Sequence, residues 1–182
     1  MNNRKWYRAA KYAAYAALML FLYVLQTTPR LFSILGVRPN LVIPAAVCIA
    51  VLEGAFAGGV YGALAGILCD LAGSALFGFS AVILMPACVA AGLLVTYLLR
   101  PGMINYVLLL AGVLLTRGLL DFLLNYVMWG YDSVWMVFVY GTLPGIIYSA
   151  AVSPLVYYLL AVIRGQLEAR SEERRVGKEC RL

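Results

Sequence analysis

Residues 54–74 read "GAFAGGVYGALAGILCDLAGS". Gly54, Gly58, Gly62, Gly66, Asp70 and Ser74 follow one another at four-residue steps. On a helix this spacing keeps side chains on one face, so the segment predicts a single winding stripe of very small residues that carries one carboxylate. Small residues at this interval let a second backbone approach closely, and the stripe is therefore expected to face protein, not lipid. Asp70 is the only charged side chain between Glu53 and Arg100, and what makes it tolerable there is the question the rest of the sequence has to answer.

Composition settles the solvent. The 182-residue chain is 64% hydrophobic and only 12% charged, where soluble domains carry roughly a quarter charged residues, and its mean hydropathy is +0.91. Apolar runs recur from residue 9 to residue 163, each close to the roughly 20 residues a bilayer crossing needs. They show no two-residue alternation, so helices are expected and not a barrel. The reading is an all-α integral membrane protein, a bundle of six transmembrane helices forming one domain over residues 1–169.

The helices are expected at about 9–26, 41–52, from Gly54 to about 75, from Gly78 to Arg100, 103–128 and 136–163. Pro44 falls in the first turn of the second, where a missing N–H costs least. Glu53 and Gly54 make a tight return into the third. "WGYDSVW" at 129–135 supplies aromatic residues suited to the headgroup layer. Arg4, Lys5, Arg8 and Lys11 precede the first helix and mark the cytoplasmic side. Six crossings then put Arg100 and Arg164 on that side too, with both termini cytoplasmic. Arg30 and Arg38 fall outside, and Arg117 falls within the fifth helix. No small-residue cleavage site follows the first helix, so a removed signal peptide is not expected.

The last thirteen residues, "RSEERRVGKECRL", hold five of the fourteen basic residues and three of the eight acidic ones. The run resembles a sequencing-adapter oligonucleotide translated in frame, and residues 170–182 are set aside as an adapter-derived or disordered tail. Three of the four cysteines, Cys48, Cys69 and Cys88, lie in apolar runs and read as small hydrophobic residues, with no disulfide framework or metal site implied.

An intramembrane carboxylate costs about 2.5–3.5 kcal/mol on insertion scales, so Asp70 needs a partner. "TRGLLDFLLNY" on the fifth helix puts Arg117, Asp121 and Asn125 on one face at i, i+4 steps. An intramembrane polar cluster of Asp70, Arg117, Asp121 and Asn125 is the expectation, serving either helix packing or function. Chemistry is not indicated. With no histidine, His-based zinc hydrolysis and Ser/His or Cys/His nucleophilic catalysis have no base or ligand pair. Of the aspartyl intramembrane protease motifs only "YD" occurs, at Tyr131 and Asp132, and "GxGD" does not. No phosphate loop is present. No enzyme activity, cofactor or nucleic-acid partner is expected.

The order of features resembles the MreD family of bacterial rod shape-determining membrane proteins, over roughly residues 4–168. The resemblance rests on the basic N-terminus, on "RPNLVIPAAV" with its loop motif Arg38, Pro39 and Asn40, on "GALAGILCDLAGSALFG" and on "IIYSAAVSPLVYYLL". It departs at Glu53-Gly54, where many relatives carry a basic turn. It implies a non-enzymatic scaffold in the bacterial cytoplasmic membrane that helps control cell shape and lateral peptidoglycan synthesis. The implied partners are an MreC-like membrane protein, the actin-like MreB, the RodA glycosyltransferase and a class B penicillin-binding transpeptidase. The same resemblance implies a fold similar to the substrate-binding S components of energy-coupling-factor vitamin transporters. That supplies an alternative function, for which the ladder of Ala9, Ala13 and Ala17 with Ala10 and Ala14 would be the docking face. An uptake protein would need polar groups converging on a cavity open to the outside.

Overall fold

The structure, a computed structural model, describes residues 3–28, 40–72, 77–99, 102–123 and 143–179, with side chains described over 9–28, 40–71, 77–99, 102–123 and 143–166. Among the described residues the chain is helical and has no strand. Its helices are α1 (Asn3–Thr27), α2 (Val42–Glu53), α3 (Ala55–Ala72), α4 (Phe79–Tyr97), α5 (Met103–Phe122) and α6 (Leu143–Glu179).

Successive helices run in opposite directions, and cross-chain contacts fix the two ends of the bundle. At one end Lys11, near the start of α1, pairs with Glu53 at the end of α2, and Arg164 of α6 reaches the same carboxylate. At the other end Gln26, late in α1, accepts the Leu41 N–H before α2, and Asn40 meets both Cys69, late in α3, and Ser149, early in α6. The beginning of α1 and the exit of α6 at Arg164 therefore share one end. The alternation matches the expected order of six helices.

Among the described residues four segments are long and apolar enough to cross a membrane, Ala9–Thr27, Phe79–Tyr97, Met103–Phe122 and Leu143–Gln166, and two shorter apolar helices cover Val42–Glu53 and Ala55–Leu71. The second helix is short, as its expected span of about 41–52 implies. At 1.5 Å per residue, the twelve residues of α2 extend only about 18 Å, short of a hydrocarbon core of about 30 Å. Every residue from Val42 to Val51 is buried. α2 is the centre of the bundle, apolar on all sides because all its sides meet protein.

Other boundaries also shift. α4 ends at Tyr97, short of the expected Arg100, while α3 is described to Ala72 and its expected end near 75 lies outside the described residues. α5 ends at Phe122, and its expected continuation to 128, the "WGYDSVW" segment and the expected start of the last helix at 136 lie outside the described residues. α6 begins at Leu143 and stays helical to Glu179, into the segment set aside as a tail.

Gly54 makes the return between α2 and α3 with a single residue. Its φ of 92° and ψ of −175° are accessible only to glycine at no steric cost, and its N–H donates to Ala50 O while its own carbonyl accepts from Gly58 N. α3 then folds back along α2, and a Cβ on Gly58 would stand 2.6 Å from Ala50 Cβ. α3 lies along α4 just as closely. A Cβ on Gly62 would stand 2.8 Å from Leu84 O, one on Gly66 would overlap the Ala81 backbone, and from the other side one on Gly92 would stand 2.6 Å from Ala55 Cα. Lipid tails are as apolar as the side chains here, so close backbone contact and not hydrophobic transfer holds these helices together.

Pro154 shows how α6 absorbs a missing donor. Proline cannot donate to the carbonyl four residues back, and the Ser153 hydroxyl donates to that carbonyl, Ala150 O, at 2.7 Å. Opposite it, the fully buried Tyr106 of α5 directs its hydroxyl to Pro44 O at 3.1 Å and Ser153 O at 3.4 Å, joining α5 to α2 and α6.

Candidate functional site

Asp70 stands near the end of α3, and it is 4% exposed. Its Oδ2 accepts the Gly78 N–H at 2.8 Å and its Oδ1 accepts the Ser80 N–H at 3.1 Å. Gly78 is the residue preceding α4, in the left-handed region at φ 93°. The first N–H groups of a helix have no partner within it, and a carboxylate among them is held by charge-assisted hydrogen bonds and by the positive end of the helix dipole. The carboxylate in the glycine stripe is therefore the cap of the next helix, supplied from the end of the previous one.

Arg117 belongs to the same locale but does not pair with Asp70. Its Nη2 donates to Ser80 Oγ at 3.3 Å, so Ser80 stands between the two, giving its N–H to Asp70 and its hydroxyl oxygen to Arg117. The expected direct contact is corrected to a relay through Ser80. The physical reason is competition: backbone N–H groups at the start of α4, those of Gly78 and Ser80, occupy both carboxylate oxygens. Asp121 lies one turn beyond Arg117 on α5 and takes part in an interaction of its own. Asn125 lies outside the described residues.

Beside this arrangement sits the loop motif. Arg38 and Pro39 lie outside the described residues, as does Ser74 of the stripe. Asn40 is a junction: its backbone N–H donates to Ser149 Oγ at 2.9 Å, its Oδ1 accepts the Ile43 N–H at 3.3 Å in the first turn of α2, and its Nδ2 lies 3.4 Å from Cys69 Sγ. Gln26 Oε1 accepts the next N–H, that of Leu41, at 2.8 Å. The start of the central helix is thus stitched to α1, α3 and α6 below the end of the bundle.

A second polar node at the opposite end was not singled out from the sequence. Glu53 Oε1 is paired with Lys11 Nζ, accepts the Tyr15 hydroxyl at 3.0 Å and stands 3.9 Å from Arg164 Nε. Lys11 and Glu53 side chains are 11% and 12% exposed. Arg164 Nη1 also donates to Leu52 O at 2.9 Å, a carbonyl in the last turn of α2, where cations are favoured. Nearby, the Tyr61 hydroxyl of α3 donates to Tyr12 O at 2.6 Å. The signal available in the sequence was charge in excess of what topology needs: an acid at a one-residue return and a lysine two turns into an apolar helix.

The stripe residues Gly54, Gly58, Gly62 and Gly66 lie along the α2–α3–α4 seam. The ladder on α1 does not pack inside the bundle: Ala9, Ala10, Ala13 and Ala17 are exposed and Ala14 is half-buried. Leu20, Phe21 and Val24 continue the exposed surface of α1. Among the described residues no group of three or more His, Cys, Asp or Glu side chains is placed to hold a metal ion. Comparison of the chain with protein-family models, with curated proteins and with solved structures returns no match.

Proposed function

We propose that this chain is a non-enzymatic scaffold of the bacterial cytoplasmic membrane, acting as an MreD-like component of the cell-elongation machinery. In this reading both termini are cytoplasmic, the bundle docks an MreC-like membrane protein, and through the assembly it stands alongside MreB, RodA and a class B transpeptidase. The observation that carries the proposal is the use of the polar groups. Both oxygens of Asp70 go to the backbone of α4, and Glu53 goes to Lys11, Tyr15 and Arg164. The acids at these two nodes hold helices in place, which suits a rigid docking body. The apolar outer face of α1 then offers area for another membrane helix.

The exposed alanine ladder also favours the second reading, an S component that docks a transmembrane coupling partner through α1. Affinity purification of the tagged full chain from native membranes separates the two. The scaffold reading expects an MreC-like protein in the eluate. Recovery instead of an ATPase-driven transport module, with vitamin uptake lost on deletion and cell shape unchanged, would replace it.

A further inference from the structure

Arg117 is the polar side chain that the bundle leaves incompletely matched. Its Nε is enclosed by protein and has no hydrogen-bond partner, and its one hydrogen bond among the described residues goes to an uncharged hydroxyl, Ser80 Oγ. Among the described residues it makes no ion pair. The neighbouring carboxylate, Asp70, is engaged with the α4 backbone. Asp121 has an interaction of its own. A guanidinium without a countercharge inside a membrane is expensive, so the charge that balances it is sought outside these contacts.

Depth indicates what that charge is. α5 has 20 residues, about 30 Å of helix, which equals the thickness of the hydrocarbon core. Arg117 stands in the last third of the described part of α5, and an arginine stem carries its head along the axis toward the nearer interface. Its contact with Ser80, in the first turn of α4, puts the guanidinium at that end of the bundle. The residue is half-buried, so part of it stays accessible. The group present at that level in a bilayer is the headgroup phosphate, whose oxygens match the planar donor fork of arginine.

We propose that Arg117 is a binding site for the phosphate of an anionic glycerophospholipid in the leaflet at the Asp70 end of the bundle. The shared chemistry is a phosphate oxyanion, and the lipid, not free phosphate, is its source. The proposal does not depend on the scaffold reading.

The test is native mass spectrometry of the full chain released from detergent, with dioleoylphosphatidylglycerol, dioleoylphosphatidylcholine or inorganic phosphate alone added in separate titrations. One phosphatidylglycerol is expected to be retained more tightly than phosphatidylcholine. Arg117→Gln is expected to weaken it about fivefold to tenfold. The double change Arg4→Gln, Lys5→Gln, which removes basic charge from the opposite end, should leave it unaltered. Should Arg117→Gln not fold, Arg117→Lys decides, because it keeps the charge and loses the fork: weaker retention supports the site, wild-type retention overturns it. Equal retention of both lipids, or wild-type retention in Arg117→Gln, also overturns it. Occupancy by inorganic phosphate alone assigns the site to a soluble ion. If Arg117→Gln leaves lipid bound but strips a co-purifying protein, the countercharge is a partner's carboxylate and the lipid site is wrong.

Discussion

Asp70 receives the backbone N–H of Gly78 at 2.8 Å across the turn between α3 and α4, so the end of one helix caps the beginning of the next. The contact makes α3 and α4 a single hairpin whose polar lock lies at its closed end and whose glycine seam runs down its length. A carboxylate in this position is stabilised by hydrogen bonds and by the helix dipole, and it does not need a cationic side chain.

Substitution at Asp70 should follow hydrogen-bond count. Asp70→Ala leaves the Gly78 and Ser80 N–H groups without acceptors, and loss of a cap of this kind costs about 0.5–2 kcal/mol, with a further penalty for a buried orphan donor. Asp70→Asn keeps one carbonyl oxygen and should lose less. Thermal unfolding in detergent should rank wild type above Asp70→Asn and Asp70→Ala lowest; equal losses would mean that charge, not acceptor geometry, is what matters.

The relay through Ser80 predicts an indirect coupling. A double-mutant cycle between Asp70→Ala and Arg117→Ala should give an interaction energy at or below about 0.5–1 kcal/mol. In a Ser80→Ala background it should fall to zero, since the hydroxyl is the link that ties Arg117 to the residue whose backbone N–H Asp70 accepts. A large coupling that survives removal of the hydroxyl would require direct contact between the two charges.

The sequence made some of this legible and hid the rest for identifiable reasons. Four-residue glycine spacing is a local pattern, and it located the face of α3 that meets α4. Asp70 points to Arg117 in the sequence because charge invites charge when only side chains are visible. Backbone donors at a helix start have no sequence signature of their own, and the cap is not legible from residue types. The central place of α2 is hidden because hydropathy cannot separate a helix surrounded by lipid from one surrounded by protein. Glu53 read as a turn residue because its neighbour is glycine; its partners Lys11, Tyr15 and Arg164 come from the two ends of the sequence, which no local spacing connects.

Glycine positions should divide sharply by what a Cβ would meet. At Gly66 it would overlap the Ala81 backbone, and at Gly92 it would stand 2.6 Å from Ala55 Cα; backbone cannot move aside as a side-chain tip can. Gly66→Ala and Gly92→Ala should each lose at least about 1–3 kcal/mol, the usual range for overpacking. Nothing lies within 4 Å of a Cβ at Gly112, and Gly112→Ala should be neutral or stabilise by up to about 1 kcal/mol from helix propensity. Matching losses at all three positions would show that the seam is not where the helices approach most closely.

At the opposite node, Glu53→Ala should be the most damaging single change. It breaks the pair with Lys11, whose side chain is as enclosed as that of Glu53, and removes the acceptor of the Tyr15 hydroxyl; breaking a buried pair from one side typically costs about 3–5 kcal/mol. Lys11→Met should cost less, because Arg164 still faces the carboxylate and the methionine stem fills similar volume. Folded yield and unfolding temperature in detergent measure both, and the reverse order would mean that Lys11 supports more than its pair with Glu53.

Accessibility from the two sides of the membrane tests the proposed topology directly. Phe77, in the turn between α3 and α4, is 71% exposed, while Gln166 is exposed beyond Arg164 on α6. The two lie at opposite ends of the bundle, because the first adjoins the Asp70 cap and the second follows the residue that reaches Glu53. Cys48, Cys69 and Cys88 are buried, so a background with Cys180→Ser leaves little reactive thiol. With cytoplasmic termini, Phe77→Cys should react with a membrane-impermeant maleimide in intact cells, and Gln166→Cys only after permeabilisation. The reverse pattern would invert the chain in the membrane. Labelling of both from one side would contradict the alternation of helices itself, since the Asp70 cap and the Glu53 node lie at opposite ends of the bundle.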